Sequence, residues 1–169
     1  HKRTIQFAIN KNKLIGIYQN MDILQGDAST MPSFDVVVGN PPYNGGKIYT
    51  EFLDLSVSML KDNGHLVMIT PVGWQISSNY STFRNEFLKK FNIQQIISYP
   101  TKTFPSVQMP TAVMIGNKTT TGTGSIRITR KERDDVNKTT EFVSTVQYDE
   151  KFDMIPIPFG DIGYGVLKK

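Results

Sequence analysis

The chain has 169 residues, of which 38% are hydrophobic and 20% charged, enough for one globular domain with a sizeable core. Zero cysteines exclude disulfides and thiolate metal sites and fit the reducing cytoplasm, and the two histidines, His1 and His65, lack the spacing of a zinc pair. A net charge of +4 permits a nucleic-acid partner without demanding one, and no apolar run approaches the roughly 20 residues of a bilayer span.

The chain enters mid-pattern at His1 with no secretory signal, so it is expected to be part of a longer polypeptide. Thr4 to Leu14 carries Ile5, Phe7, Ala8 and Ile9 and predicts an amphipathic helix. Met21 to Asp27 predicts a short strand ending at an acid. "FDVVVGN", residues 34–40, has β-branched residues on both faces, as a central parallel strand requires. Ile48 to Leu60 predicts a helix stopped by "KDNG", and His65 to Pro71 a buried strand. A Ser81 cap opens a helix to Phe91, with Phe83, Phe87, Leu88 and Phe91 on one face.

Ile93 to Tyr99 and Thr111 to Asn117 predict two strands whose connection is too short for a helix, hence antiparallel neighbours. The alternation is that of a doubly wound α/β domain. Composition shifts after Asn117: "KTTTGTGS" reads as a turn, and "MIPIPFGDIGYG" is too rich in Pro and Gly for regular structure. A boundary is placed near residue 118, dividing 1–118 from 119–169.

The second strand ends in Asn40-Pro41-Pro42-Tyr43. In open α/β sheets, ligands sit beyond the carboxyl ends of the strands. Two prolines make a stiff bracket and remove donors, so the Asn40 amide oxygen and the Pro41 carbonyl become two acceptors aimed one way. Two acceptors around an amino group bind its N–H bonds and favour the pyramidal geometry that frees the nitrogen lone pair. The Tyr43 face holds a planar group by stacking. The alternative is that Asn-Pro-Pro is plain punctuation after a strand.

"NPPY" after "FDVVVG" resembles the catalytic motif of S-adenosylmethionine-dependent amino-methyltransferases, above all the DNA adenine-N6 enzymes of restriction–modification systems. "IYTEFLDLSVSMLKDNGHLVMITPVGWQ" and "TFPSVQMPTAVMIGNK" resemble the segments that follow it, in family order over residues 20–118. The resemblance implies a Rossmann-like methyltransferase core using S-adenosyl-L-methionine, acting on double-stranded DNA with an adenine flipped out of the helix. It implies that Asn40 and the Pro41 carbonyl, with Pro42 as bracket, hold the target amino group. Tyr43 would stack on the base and Phe104 would contact it from another side. Asp27 would hydrogen-bond the cofactor's adenine, with Ala28 lining the same pocket.

Plainer readings stand beside these: Asp27 as a cap, Phe104 as a core residue, Gly45-Gly46 as a turn. Trp74 reads as packing. Lys47 and Lys102 sit near the expected cleft mouth, where they would meet DNA phosphates or remain simple surface lysines.

The Gly-rich cofactor turn of the family is missing before Asp27, so the core is expected to lack its N-terminal strands. "TTGTGS" and "PFGDIGYG" do not lead into helices and are false positives. The alternatives are a glutamine-N5 or RNA guanine-N2 methyltransferase, or a non-catalytic DNA-binding remnant or partner subunit of an adenine enzyme. No metal is implied.

Overall fold

The computed structural model describes residues 24, 32–43, 47–99, 103–104, 109–133, 139–149, 151 and 153–155. The helix expected over 4–14 and nearly all of the strand expected over 21–27 lie outside them. The described elements are β1 (Phe34–Gly39), α1 (Ile48–Ser58), β2 (Leu60–Pro71), α2 (Gly73–Ile76), a 3₁₀ turn (Ser78–Tyr80), α3 (Ser81–Lys90), β3 (Phe91–Tyr99), β4 (Thr111–Lys118), β5 (Ser125–Arg133) and β6 (Thr139–Gln147).

The strands form one sheet in the order β1-β2-β4-β3-β5-β6. β1 runs parallel to β2, and β5 parallel to β3. β4 is antiparallel to both β2 and β3 and so lies reversed between two parallel strands. β6 closes a hairpin with β5. The expected boundary near residue 118 coincides with the end of β4, and the chain beyond it continues the same sheet.

Alternation along the strands sorts side chains onto two faces. One face carries Leu66, Met68, Ala112, Met114, Ile96 and Ile126, all buried with Leu53 and Val57 of α1 and Phe87 and Leu88 of α3. On the other face Val67, Ile69, Ile97, Val113 and Ile115 are only half-buried. On β1 that face carries Val36 and Val38, which are 55% and 71% exposed. Helices cover the first face because α1 buries Tyr49, Leu53 and Val57 at helical spacing.

Trp74 sits at the centre of the aromatic packing, fully buried. Its ring meets Phe83 and Phe87 edge-on at 5.8 and 5.7 Å, and Phe87 continues to Phe91 at 5.1 Å. Its indole Nε1 donates to Thr70 Oγ1 at 3.2 Å, so no polar atom of the ring is left unpaired.

Two local expectations need correction. Ser81 is the first residue of α3 rather than its cap; Tyr80 holds the N-cap position without a side-chain cap bond. The preceding 3₁₀ turn supplies the missing acceptor, since the Ser81 amide donates to the Ser78 carbonyl. "KDNG" lies inside β2, not in a free loop. Pairing jumps from Phe34 with Leu60 to Val36 with His65, so residues 61–64 bulge out, helped by Asn63 at φ 62°.

Gly116 faces the core where β4 meets β3, and a Cβ there would sit 2.3 Å from the Asn92 carbonyl oxygen and 2.6 Å from Phe91 Cε1. Backbone cannot retreat from such a contact cheaply. Gly116→Ala is therefore expected to lower unfolding stability by about 1–3 kcal/mol, read from chemical denaturation.

Among the described residues, no helix is long and apolar enough to cross a membrane, and no group of three His, Cys, Asp or Glu side chains is placed to hold a metal.

Candidate active site

β1 and β2 are parallel and in register at Gly39 with Met68; β2 runs on three residues to Pro71, while β1 ends at Gly39. Asn40 follows at once and is exposed, Pro41 is buried, Pro42 is exposed, and Tyr43 is half-buried. The Tyr43 hydroxyl donates to Asn40 Oδ1 at 2.6 Å and reaches the Ile69 carbonyl of β2 at 3.4 Å. That bond orients the Asn40 amide and leaves the second lone pair of Oδ1 able to accept. Burial raises the Tyr43 pKa, which keeps the phenol protonated and therefore a donor.

Beside this tip lies a cleft of about 360 Å³, within the range of small-molecule sites. Tyr43 forms one wall; Pro71, Val72, Gly73 and Ile76 form a second. Tyr49, Tyr80, Met109 and Pro110 complete it. The Val72 amide donates to the Pro110 carbonyl at 3.1 Å, tying the two ends of the cleft floor together. Tyr49 and Tyr80 pack with ring centroids 5.8 Å apart. The Tyr49 pKa is raised, first by burial and then by its hydrogen bond to Tyr80, so the Tyr49 phenol stays neutral. The cleft is a mostly apolar slot with three tyrosines in its lining.

The structure thus brings Asn40, Pro41, Pro42 and Tyr43 together at one strand end. Phe104 lies in the β3–β4 connection, 37% exposed, and is not part of the cleft wall; Met109 and Pro110 of the same connection are. Lys47 is exposed at the start of α1, where its carbonyl accepts from the Thr50 amide at 2.9 Å. Asp27, Ala28 and Lys102 lie outside the described residues, as do Gly45 and Gly46.

Sequence reasoning missed Tyr49 and Tyr80. Tyr49 had a signal: it stands six residues after Tyr43, in the first turn of the helix leaving the tip. Tyr80 had none, because only the fold brings it opposite.

Known proteins resemble this chain in sequence and in fold. Residues 44–104 match the Eco57I restriction-modification methylase family. The match opens one residue after Tyr43 and runs through α1, β2, α2, α3 and β3; it includes the cleft residues Tyr49, Pro71, Val72, Gly73, Ile76 and Tyr80. A Methanocaldococcus jannaschii protein, named as a type II restriction enzyme and methyltransferase, is 26% identical over 102 residues, spanning 50% of this chain and 9% of that protein.

Among solved structures, a component of a type I restriction–modification system superposes with TM-score 0.64 at 21% identity, over 72% of this chain and 29% of that one. The EcoKI M protein, of a type I restriction enzyme, gives 0.57 at 18% identity, over 65% and 28%. The fold is a Rossmann-like methyltransferase core, with β4 reversed between β2 and β3. The family match and the relative liken this chain to restriction–modification methyltransferases, and the solved structures share its fold. The chain spans under a third of each of these relatives.

Proposed function

We propose that this chain forms the substrate-side part of an S-adenosylmethionine-dependent DNA adenine-N6 methyltransferase of a restriction–modification system. The observation that carries the reading is the geometry at the β1 tip. The Asn40 amide oxygen accepts from the Tyr43 hydroxyl, and the same Tyr43 walls a mostly apolar slot together with Tyr49 and Tyr80.

The chemistry follows from the acceptor set. The target amino group donates one N–H to Asn40 Oδ1 and the other to the Pro41 carbonyl. Both bonds draw the nitrogen out of conjugation with the ring and leave its lone pair available. The base, extruded at a cost of a few kcal/mol, regains much of that by stacking on Tyr43 and lying between the cleft walls. S-adenosyl-L-methionine supplies an electrophilic methyl group when bound, with Asp27 and Ala28 as the residues expected to meet it. The two acceptors at the tip suit the amino group that receives the methyl rather than the cofactor itself. Orientation in the slot then accounts for most of the acceleration, without a covalent enzyme intermediate.

Lys47 and Lys102 would meet phosphates at the cleft mouth, Phe104 would flank the base from the β3–β4 connection, and residues 119–169 would begin the target-recognition region. The partners are double-stranded DNA and the remainder of the enzyme, and the place of action is the cytoplasm.

Tyr43 separates stacking from orientation. Tyr43→Ala loses both and is expected to lower kcat/KM about 10–100-fold, the worth of one base–aromatic stack. Tyr43→Phe keeps the ring and releases Asn40, so its loss falls mainly on kcat and is smaller. Transfer of labelled methyl to duplex DNA, measured with the intact enzyme, checks both. Equal losses in the two variants would remove stacking from the account.

A further inference from the structure

Arg84 is fully buried, and the cleft reading above assigns it no part. It lies on α3 three residues before Phe87, on the helix face turned to the core. Its Nη1 donates to the Trp74 carbonyl at 2.7 Å and to the Ser77 carbonyl at 3.0 Å. Its Nη2 donates to Asp153 Oδ1 at 2.9 Å and to the Asp153 carbonyl. Two residues on, the Ile155 amide donates to the Gln75 carbonyl at 2.8 Å, and the Ile155 side chain is fully buried.

All three carbonyls belong to one place. Trp74, Gln75 and Ser77 are in or just after α2, a helix of four residues, Gly73–Ile76. A single turn cannot sustain itself in water, and its last carbonyls have no partner within the helix. Here they are taken from outside, by a guanidinium fork and by an amide from beyond β6. The same turn carries Gly73 and Ile76, which wall the cleft beside Asn40–Tyr43.

We propose that Arg84 is a positioning residue for the cleft: with Asp153 and Ile155 it sets the α2 wall, so that the segment following β6 controls the shape of the substrate slot. Asp153 is the second jaw. Its backbone stands at φ 44°, a left-handed conformation that Asp and Asn tolerate, and its carboxylate is the counter-charge of a buried cation. Removing either partner leaves the α2 carbonyls or the guanidinium unsatisfied. The segment following β6 is thereby tied to the slot wall through the Arg84 side chain and the Ile155 amide. As a statement about substrate, this rests on the reading of the cleft given above; as a statement about α2, it does not.

The test uses the 169-residue chain, with Asp153→Asn as the mild variant, since Asn keeps the backbone preference and loses the charge. Arg84→Met is the severe one. Amide hydrogen exchange at Gly73–Ser77 is expected to rise about tenfold or more in Asp153→Asn, while β2 and β4 amides stay protected. Adenosine, titrated as the probe of the slot, is expected to bind the variant about tenfold more weakly. Unchanged exchange at Gly73–Ser77 overturns the proposal, and so does a uniform rise across the sheet, which would mean a merely structural Arg84. Equal adenosine affinity in wild type and variant also overturns it. Adenosine binding to neither, with the local exchange difference present, supports the α2 anchor and counts only against the cleft reading. Should Arg84→Met fail to fold, Asp153→Asn decides alone.

Discussion

Asn40→Ala is expected to reduce methyl transfer by about 10²–10³-fold in kcat, the loss typical of removing one preorganised hydrogen-bonding group from a reacting centre. Asn40 is exposed at the end of β1, so its side chain contributes little to packing, and unfolding stability should change by no more than about 0.5 kcal/mol. Its role is directional. The Tyr43 hydroxyl at 2.6 Å orients the amide, and in the proposed reading the remaining lone pair of its oxygen would meet the target nitrogen best once that nitrogen begins to rehybridise. The contact therefore strengthens in the transition state more than in the ground state, and the loss should appear in kcat with DNA affinity preserved. Asn40→Asp sharpens the point. It keeps an oxygen at the same reach and adds a negative charge, so it should retain more activity than alanine if acceptance is the function. Equal loss of DNA binding and of transfer would place Asn40 in recognition instead.

Trp74→Ala is expected to cost about 3–5 kcal/mol of stability, enough to unfold much of the chain at ambient temperature. The residue is fully buried, meets Phe83 and Phe87 edge-on, and spends its one donor on Thr70. A cavity there would loosen α2 and α3 from β2 at once. Trp74→Phe keeps most of the volume and should cost far less. As Trp74 is the single tryptophan, the variants are compared by circular dichroism under denaturant rather than by fluorescence. A full-stability Trp74→Ala with impaired substrate binding would make this residue part of the site after all.

What could be read in the sequence and what could not divides along physical lines. The β1 tip was legible because a β-branched run stopped at two prolines, and proline cannot extend a parallel ladder. β3 and β4 were legible as antiparallel neighbours because the chain between them is too short to cross over. The insertion of β4 between β2 and β3 was not, since it depends on which edges remain free after the helices pack. Nor was the addition of β5 beside β3, where "SIRITR" looks like any amphipathic strand. Tyr80 reaches the cleft only through the tertiary fold. Arg84 is a different case. Its spacing from Phe87 and Phe91 places it on the apolar face of α3, and a charge at such a position was already a sign of a buried partner. The Ser81 cap misled because a 3₁₀ turn ahead of a helix supplies the same acceptor as a side chain would.

The most direct measurement is nucleoside analysis of duplex DNA after incubation of the intact enzyme with methyl-labelled S-adenosylmethionine, run beside Asn40→Ala. The account predicts label in N6-methyladenine with wild type, and a signal about 10²–10³-fold lower with the variant while DNA binding persists. Label in cytosine, in RNA guanine or in a glutamine side chain, or undiminished transfer by Asn40→Ala, would contradict it.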